Sequence, residues 1–331
     1  MRIIIYGAGG IGGVIGARLS QNGYEVILIA RGAHLDAIQQ KGLRFESPHE
    51  SVALQIPAVG HPSEIEFQAE DVVLMTMKSQ HSLSALEDLR AAAGEEISVI
   101  CCQNGVENER MALRRFNRVY AMVVYIPTNH LEPGVVQAQS KTLTGILDAG
   151  VYPRGTDALI EKITAMLEAS NFSAKADPRV MRWKYTKLLM NLGNSLQAAC
   201  APDPDETREI RELLRREALS CYEAAGIEYA TVEEERERRG TLIQLGEING
   251  RKRLGGSSWQ SLTRGTGNIE ADYLNGEIVL LGRLHGIPTP ANHVLQKMAD
   301  KIARERTPAG SVPLDDVKES IKTATRFSFN G

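Results

Sequence analysis

The chain has 331 residues, a length that exceeds one compact core and predicts two domains. Hydrophobic residues make up 43% of it and charged residues 24%, the balance of an ordinary globular protein. The formal net charge of −3 gives no electrostatic reason to expect nucleic acid or an anionic membrane as a partner. Glycine ends the N-terminal apolar run early, and no stretch approaches the ~20 apolar residues of a membrane span. We therefore expect a cytoplasmic protein.

Short apolar runs rich in β-branched residues predict the strands of a parallel sheet that is buried on both faces. They cover residues 2–6, 25–30, 71–77, 97–101 and 119–126. Helical patterns lie between them, notably over 11–21 and 82–92, and this alternation is typical of a Rossmann-type, doubly wound α/β domain. Residues 135–136 and 143–147 are expected to be further strands that extend or close the same sheet.

Helical periodicity dominates after about residue 177, over 180–199, 206–225, 269–284 and 291–304. Pro178 suggests a hinge, because proline disfavours helix in the residue before it. We expect a nucleotide-binding domain over 1–177 and an all-helical substrate and catalytic domain over 178–331. The mixed charge run Glu233–Arg239 favours a solvated helix face over a binding patch.

A glycine motif follows the first strand directly. Residues 7–12 read GAGGIG, which fits G-x-G-x-x-G between a strand and a helix. Gly7 would permit the tight turn, Gly9 the approach of a pyrophosphate, and Gly12 the packing of helix on strand. The loop predicts a dinucleotide site, and it also includes Gly10 and Ile11.

The end of the second strand distinguishes NADP from NAD. An NAD site places a carboxylate there, whereas this strand ends in Ala30 and Arg31. A guanidinium binds a 2′-phosphate with two parallel hydrogen bonds, so NADP is predicted. His34 is either a second phosphate contact or a lone surface histidine, and the latter is favoured.

Two more strand ends carry polar side chains. Lys78 follows the strand over 71–77, and Asn104 follows the strand over 97–101 in the sequence Gln-Asn-Gly. Ligands of this fold bind outside the carboxyl ends of the strands, so both are candidate cofactor-side residues. A simple turn at Asn104 is the alternative.

The four cysteines, Cys101, Cys102, Cys200 and Cys221, show no C-x-x-C spacing. We expect reduced thiols, with neither disulfides nor a metal site.

The helix predicted over 180–199 carries a polar stripe. Lys184, Lys187, Asn191 and Asn194 are spaced to share one face, with leucines on the others. A solvated face is one interpretation. Asparagine is a poor helix former, however, which favours a functional site.

These residues resemble the ketopantoate reductase (2-dehydropantoate 2-reductase) family over nearly the whole chain. The resemblance adds the segments PGVV at 133–136, SS at 257–258, EADYLNG at 270–276 and HGIPTP at 285–290. It implies reduction of a 2-keto acid with NADPH, specifically of 2-dehydropantoate to pantoate on the path to pantothenate. A homodimer is compatible with the sequence.

Carried over by motif, Lys187 matches the family's catalytic lysine and Glu270 its catalytic glutamate. Lys78 matches a cofactor-side lysine. The resemblance also supplies the residues that would face the substrate, namely Asn104, Asn191, Asn194 and Ser258. Asn194 stands one position closer to the lysine than the family pattern has it.

Two departures bear on the substrate. The family's Ser-Met-Leu-Gln-Asp has become Ser-Trp-Gln-Ser-Leu, so Trp259 brings a bulky indole and Leu262 replaces an aspartate. A bulkier keto acid is therefore an alternative substrate. A non-enzymatic NADP-binding sensor is a second alternative, which the pairing of Lys187 with Glu270 disfavours.

Ketone reduction needs a proton donor, and a protonated lysine can polarise the carbonyl and then supply the proton. We expect Lys187 to be this acid, with Glu270 holding it charged or binding a substrate hydroxyl. Asn268 is expected to cap the helix of Glu270, which leaves a role with the helix dipole alone as the alternative. Lys184 is expected to be a structural or solvated neighbour.

Overall fold

The computed structural model describes residues 1–200, 205–251, 255–265 and 267–328. Within these ranges the strands are β1 (Ile3–Tyr6), β2 (Val26–Ile29), β3 (Leu43–Ser47), β4 (Glu50–Leu54), β5 (Ala58–Val59), β6 (Val72–Met75), β7 (Ser98–Cys101), β8 (Arg118–Met122), β9 (Thr128–Asn129), β10 (Val135–Ala138), β11 (Gly145–Ile146), β12 (Ala149–Val151) and β13 (Phe172–Ser173).

The helices are α1 (Gly10–Gln21), α2 (Gly32–Lys41), α3 (Ser82–Ala93), α4 (Asn108–Leu113), α5 (Ala158–Ala169), α6 (Val180–Asn191), α7 (Asn194–Cys200), α8 (Arg208–Ala225), α9 (Val232–Arg239), α10 (Ser257–Thr263), α11 (Asn275–His285), α12 (Pro290–Arg304) and α13 (Leu314–Ser328). Short 3-10 helices cover Pro62–Glu64, Ser79–His81 and Glu270–Tyr273.

The main sheet has seven strands in the order β12-β8-β7-β6-β1-β2-β5. All pairs are parallel except the one between β12 and β8, which is antiparallel. The five strands predicted for this sheet are present as β1, β2, β6, β7 and β8. Three of them, β1, β6 and β7, are buried along their whole length, which explains their continuous apolar sequences. The predicted α/β fold with a helical C-terminal region is confirmed.

Two predicted strands lie outside that sheet. β10 pairs with β3 and β9 in a separate four-stranded sheet, whereas β11 pairs with β13 and forms an isolated antiparallel bridge to Tyr125. The expectation that they extend or close the main sheet is therefore wrong. The strand β3, which pairs with β10, belongs to a hairpin with β4 that carries no continuous apolar run. Val136 of β10 packs so close to α1 that a Cβ on Gly13 would lie 2.7 Å from its Cγ1.

The chain divides into two compact units. Unit 1 contains Met1–Lys184 and Ala230–Arg253, and unit 2 contains Tyr185–Tyr229 and Leu254–Gly331. This division differs from a boundary at residue 177 because it falls inside α6 and returns a later segment to unit 1. Within unit 1, Arg238 of α9 donates two hydrogen bonds of 2.6 and 2.7 Å to the buried carboxylate of Asp148. The charge run of α9 is thus not a purely solvated face.

Two predicted helices are interrupted in unit 2. The helix expected over 180–199 breaks between α6 and α7, where Asn275 Nδ2 donates to the carbonyl of Leu192 at 3.1 Å. The guanidinium of Arg211 packs against Gly193, where a larger residue would require this side chain to move. The helix expected over 269–284 divides into a 3-10 turn and α11. Ile269, and not Asn268, occupies the N-cap of that turn, which corrects the predicted cap.

Candidate active site

The carboxyl ends of four parallel strands are in register in unit 1. Tyr6 of β1 pairs with Ile29 of β2 on one side and Met75 of β6 on the other. Met75 in turn pairs with Cys101 of β7. The loops that follow these strands therefore emerge along one edge of the sheet, which is where this class of fold binds ligands.

The glycine turn after β1 is closely packed on one side. Gly7 has φ of +104°, and a Cβ there would lie 2.8 Å from the backbone nitrogen of Met77. A Cβ on Gly12 would lie 2.5 Å from the Gly7 carbonyl oxygen and would collide with Thr76 Oγ1. Thr76 Oγ1 donates to the carbonyls of Tyr6 and Gly7 at 3.0 and 2.9 Å, which fixes the turn. This geometry agrees with the predicted role of Gly7 in a tight turn and with that of Gly12 in the packing of the helix on the strand.

The other side of the turn is open. A Cβ on Gly9 would have a single neighbour within 4 Å among the described residues, His130 Cδ2 at 3.7 Å. Helix α1 begins at Gly10, continues with Ile11, and has no side-chain cap and no acidic residue in its first turn within the described chain. Its leading N–H groups are therefore available to an anion, and the helix dipole favours one there.

Arg31 stands at the N-cap position of α2, two residues after the end of β2. It is exposed, and no acidic residue lies in the first turn of α2 as described. Burial raises the pKa of the Tyr6 hydroxyl, and the nearby Arg31 guanidinium acts in the opposite direction. The Arg31 guanidinium therefore acts electrostatically on the last residue of β1, which immediately precedes the glycine turn.

His34 supports the glycine loop. The N–H of Gly134 donates to its Nδ1 at 2.8 Å, so its Nε2 carries the proton and donates to the Ala8 carbonyl at 2.7 Å. Its ring lies 4.3 Å from that of His130, measured between centroids. The interpretation of His34 as a lone surface residue is therefore wrong, since both ring nitrogens bind backbone.

Lys78 and Asn104 stand in two loops that side chains tie together. Gln103 Nε2 donates to the carbonyl of Met77 at 3.0 Å, which joins the loop after β7 to the loop after β6. Asn108 Nδ2 donates to the carbonyl of Asn104 at 3.1 Å and to Ser79 Oγ at 3.0 Å. The sequence did not single out this network, whose residues are short polar side chains common in turns.

Lys184 is not solvated. Its side chain is 2% exposed, and it is paired with Glu109, whose side chain is fully buried. The neighbouring Trp183 donates from Nε1 to Asp177 at 2.8 Å, also within unit 1. The structure therefore supports the structural alternative for Lys184 and corrects the solvated one.

Lys187 and Asn191 lie in the half of α6 that belongs to unit 2, and both are half-buried. The Nδ2 atom of Asn191 is buried and has no hydrogen-bond partner among the described residues. A buried donor without an acceptor is costly, so this amide is suited to an oxygen of a ligand.

Asn194, Ser258 and Glu270 are carried by three segments that pack together in unit 2. Helix α10 packs on α7, and the N–H of Gly256 donates to Gln197 Oε1 at 3.1 Å. Ala198 of α7 shares an apolar cluster with the residues that flank Glu270. Ser258 and Glu270 are buried, 2% and 3% exposed, so neither is an ordinary surface side chain.

The two residues that depart from the family pattern pack against that same apolar cluster. Trp259 and Leu262 contact it from α10. The indole of Trp259 also lies so close to Gly255 that a Cβ there would be 2.6 Å from Cγ. A packing role thus accounts for the size of Trp259, while the loss of a carboxylate at Leu262 still changes the polarity of this region.

Asn275 is a supporting residue that the sequence analysis did not identify as functional. Besides bonding Leu192, it donates from Nδ2 to Asn292 Oδ1 at 3.0 Å and accepts from Ser195 Oγ at 2.8 Å. Asn292 is in turn bound by the buried Glu217. This buried network fixes the break between α6 and α7, on either side of which Asn191 and Asn194 stand.

Three further features of the described chain are the state of its cysteines, the arrangement of its potential metal ligands and the polarity of its helices. Cys101, Cys102, Cys200 and Cys221 are free thiols, and all except Cys200 are buried. Among the described residues, no group of three or more His, Cys, Asp or Glu side chains is arranged to hold a metal ion. In the same part of the chain, every helix is too short or too polar to cross a bilayer.

Comparison with known proteins identifies the family. The model described as ketopantoate reductase PanE/ApbA matches residues 3–149, and that of the C-terminal part of the same family matches 179–303. A 2-dehydropantoate 2-reductase of Mesorhizobium japonicum is 29% identical over 341 residues, covering 92% of this chain and 99% of the relative. The fold and these matches define a nicotinamide-dependent oxidoreductase acting on a CH–OH group. The chain belongs to the ketopantoate reductase family, and the sensor alternative is set aside.

Solved structures share the architecture. A PanE/ApbA family ketopantoate reductase from Ralstonia eutropha JMP134 has a TM-score of 0.77 and 28% sequence identity, and the match covers 92% of this chain and 99% of that one. A D-mandelate dehydrogenase, solved with NADH and anilino(oxo)acetate, has a TM-score of 0.79 at 22% identity, with the same coverage. The second likeness shows a shared fold.

Proposed function

We propose that this protein reduces a 2-keto acid with NADPH, with 2-dehydropantoate as substrate and pantoate as product. The observation that carries the proposal is Arg31 at the N-cap of α2, next to an open glycine turn and an uncapped α1. A cation where an acidic residue would select NAD supports NADP. Membership of the ketopantoate reductase family supports the keto acid.

The residues of unit 1 fit the cofactor. The open side of Gly9 and the first N–H groups of α1 suit a pyrophosphate, and Arg31 suits a 2′-phosphate. Lys78 and Asn104 follow the two neighbouring strands at the same edge of the sheet. When bound, NADPH supplies the hydride.

The residues of unit 2 supply the proton and bind the keto acid substrate. Lys187 donates a proton from Nζ to the keto oxygen as that oxygen gains charge. The buried Glu270 keeps Lys187 charged or binds a substrate hydroxyl. Without a carboxylate nearby, desolvation would favour the neutral form of the lysine, which cannot donate the proton. The Asn191 Nδ2 group, which has no hydrogen-bond partner in the described part of the chain, binds a substrate oxygen together with Asn194 and Ser258.

A second candidate is a keto acid with a larger apolar tail. Leu262 stands where the family has an aspartate and lies against an apolar cluster, which favours a less polar substrate. The D-mandelate dehydrogenase of similar fold was solved with anilino(oxo)acetate, a compound with an aromatic ring.

The experiment is a steady-state assay of the purified protein with NADPH or NADH and a panel of 2-keto acids. We expect oxidation of NADPH with 2-dehydropantoate, at a kcat/KM above those for aryl and branched aliphatic keto acids. Higher kcat/KM for an aryl keto acid would support the second candidate. No turnover of any keto acid, by a folded protein that binds NADPH, would refute both.

A Leu262→Asp variant is the matched probe of substrate choice. If Leu262 sets the polarity of the substrate region, the variant should shift the kcat/KM ratio toward the more polar keto acid. Trp259→Met, which restores the family residue next to Ser258, serves as the control for changed packing. An equal effect of both variants on all keto acids would argue against a role in specificity.

A further inference from the structure

The most deeply buried charged pair described in unit 1 joins α6 to α4. The ammonium of Lys184 contacts Glu109 Oε1, and the two side chains are 2% and 0% exposed. Burying two charges costs several kcal/mol per ion, and an apolar pair of similar volume is often at least as stable. Simple stability is therefore a poor reason for this pair.

The remaining bonds of Lys184 lead to the end of β7. Its Nζ donates to the carbonyl of Gln103 at 3.1 Å and approaches the carbonyl of Cys101 at 3.5 Å. Cys101 is the last residue of β7, and Gln103 opens the Gln-Asn-Gly loop. The three acceptors of the ammonium thus lie at the root of one loop and in the helix that follows it.

Glu109 belongs to the helix that ends this loop. It is the second residue of α4, directly after Asn108, which holds the carbonyl of Asn104. Burial raises the pKa of the Glu109 carboxyl, and Lys184 acts in the opposite direction. Its Oε2 has no hydrogen-bond partner in the described chain, so Lys184 is the principal group that compensates this carboxyl.

We propose that Lys184 and Glu109 form a positioning pair that fixes the backbone of the Gln103–Gly105 loop and so orients Asn104. The pair binds the carbonyl before Asn104, while Asn108 binds the carbonyl of Asn104 itself. The loop is thereby held at two successive peptide groups. The orientation of Asn104 toward nicotinamide and substrate rests on the proposed function. The fixing of the loop by the pair is independent of that function.

This role differs from that of the proposed acid. Lys184 and Lys187 stand three positions apart on α6, yet Lys184 is committed to backbone carbonyls and a carboxylate in unit 1. It acts on the reaction only through Asn104, so it is a positioning residue. Replacement of Lys184 should therefore affect the loop, whereas replacement of Lys187 should affect the proton transfer directly.

The test uses hydrogen exchange followed by mass spectrometry on the full-length protein. The variant is Lys184→Met with Glu109→Gln, which removes both charges and leaves no orphan ion. The control is Arg182→Met with Glu234→Gln, which removes an ion pair of 2.8 Å that starts on the same helix and ends on α9. Peptides spanning residues 101–109 are compared with those from β1 and β6.

We expect exchange in residues 101–109 to rise by about tenfold or more, the effect of losing one hydrogen bond from a charged donor. Exchange in β1 and β6, and in the control variant over 101–109, should not change. In the keto-acid assay, kcat under saturating NADPH and keto acid should fall in this variant and stay at the wild-type value in the control, a loss that weaker cofactor binding alone does not produce.

Unchanged exchange over 101–109 in a folded variant would overturn the proposal, as would an equal rise throughout unit 1. If the double variant fails to fold, Lys184→Arg keeps the charge but alters its reach. It should then raise exchange in the same segment alone, and no local rise would refute the positioning role. A wild-type protein without reductase activity would refute the proposed function and leave the exchange result valid.

Discussion

Alanine at Gly12 should destabilise the protein through a collision that the backbone cannot relieve. The added Cβ would lie 2.5 Å from the Gly7 carbonyl and 2.7 Å from Ile5 Cγ2, besides colliding with Thr76. Overpacking of this kind costs about 1–3 kcal/mol, with the upper end expected because one neighbour is backbone. Alanine in place of glycine inside a helix recovers about 1 kcal/mol. The net loss is therefore about 2 kcal/mol.

Alanine at Gly9 is the matched substitution, because its Cβ would make a single ordinary contact of 3.7 Å, with His130. Its backbone is extended, with φ of −73°, which alanine adopts. We expect stability within about 0.5 kcal/mol of wild type. NADPH affinity should nevertheless fall by about tenfold or more, because the methyl group would occupy the place of the pyrophosphate.

Urea denaturation and fluorescence titration with NADPH separate the two effects. Gly12→Ala should shift the urea midpoint and Gly9→Ala the dissociation constant. Wild-type NADPH affinity in Gly9→Ala would show that the pyrophosphate does not approach this glycine. Equal destabilisation by both variants would refute the packing argument.

Three further predictions concern charged side chains. Arg31→Ala should weaken NADPH binding by about 10- to 150-fold in the same titration and leave NADH binding nearly unchanged, since a hydrogen bond to a charged group contributes about 1.5–3 kcal/mol. Equal losses of affinity for the two cofactors would contradict a 2′-phosphate contact. Burial and the adjacent Asp272 raise the pKa of Asp300 to about 6, so its contribution to stability is present below about pH 4 and is lost as pH rises through 6. Asp300→Asn should therefore stabilise the protein at pH 7, by about 1 kcal/mol after allowance for its partial exposure, and flatten the pH dependence of Tm between 4 and 6. Arg238→Met should cost about 3 kcal/mol in urea denaturation because it strands the buried carboxylate of Asp148, and Arg238→Met with Asp148→Asn should cost less.

The strands of the main sheet were predictable because each is covered on both faces. A strand buried on both faces has a continuous apolar sequence, as Ile3–Tyr6 does, and can be recognised without knowing which strands lie beside it. The hairpin of β3 and β4 has a half-exposed second strand, and its pattern was therefore missed. As a result β10, whose partner is β3, was assigned to the wrong sheet.

The site was predictable where a residue's role depends on local backbone. Gly7 and Gly12 are required by a turn that the sequence itself marks. Long-range partners leave no such signal: nothing near Lys184 in the sequence indicates Glu109, and nothing near Leu192 indicates Asn275. Periodicity alone predicted a continuous helix through Gly193, because the arginine that packs against this glycine lies far away in the sequence, on α8.

The most direct test of the central claim is single-turnover reduction of a keto acid by Lys187→Ala under saturating NADPH. Removal of a positioned acid typically costs on the order of 10²- to 10⁴-fold in rate. We predict a loss of this size in the hydride-transfer step, with the NADPH dissociation constant unchanged, because the cofactor residues belong to unit 1 and Lys187 to unit 2. A Lys187→Ala protein that reduces the keto acid at the wild-type rate would contradict the account.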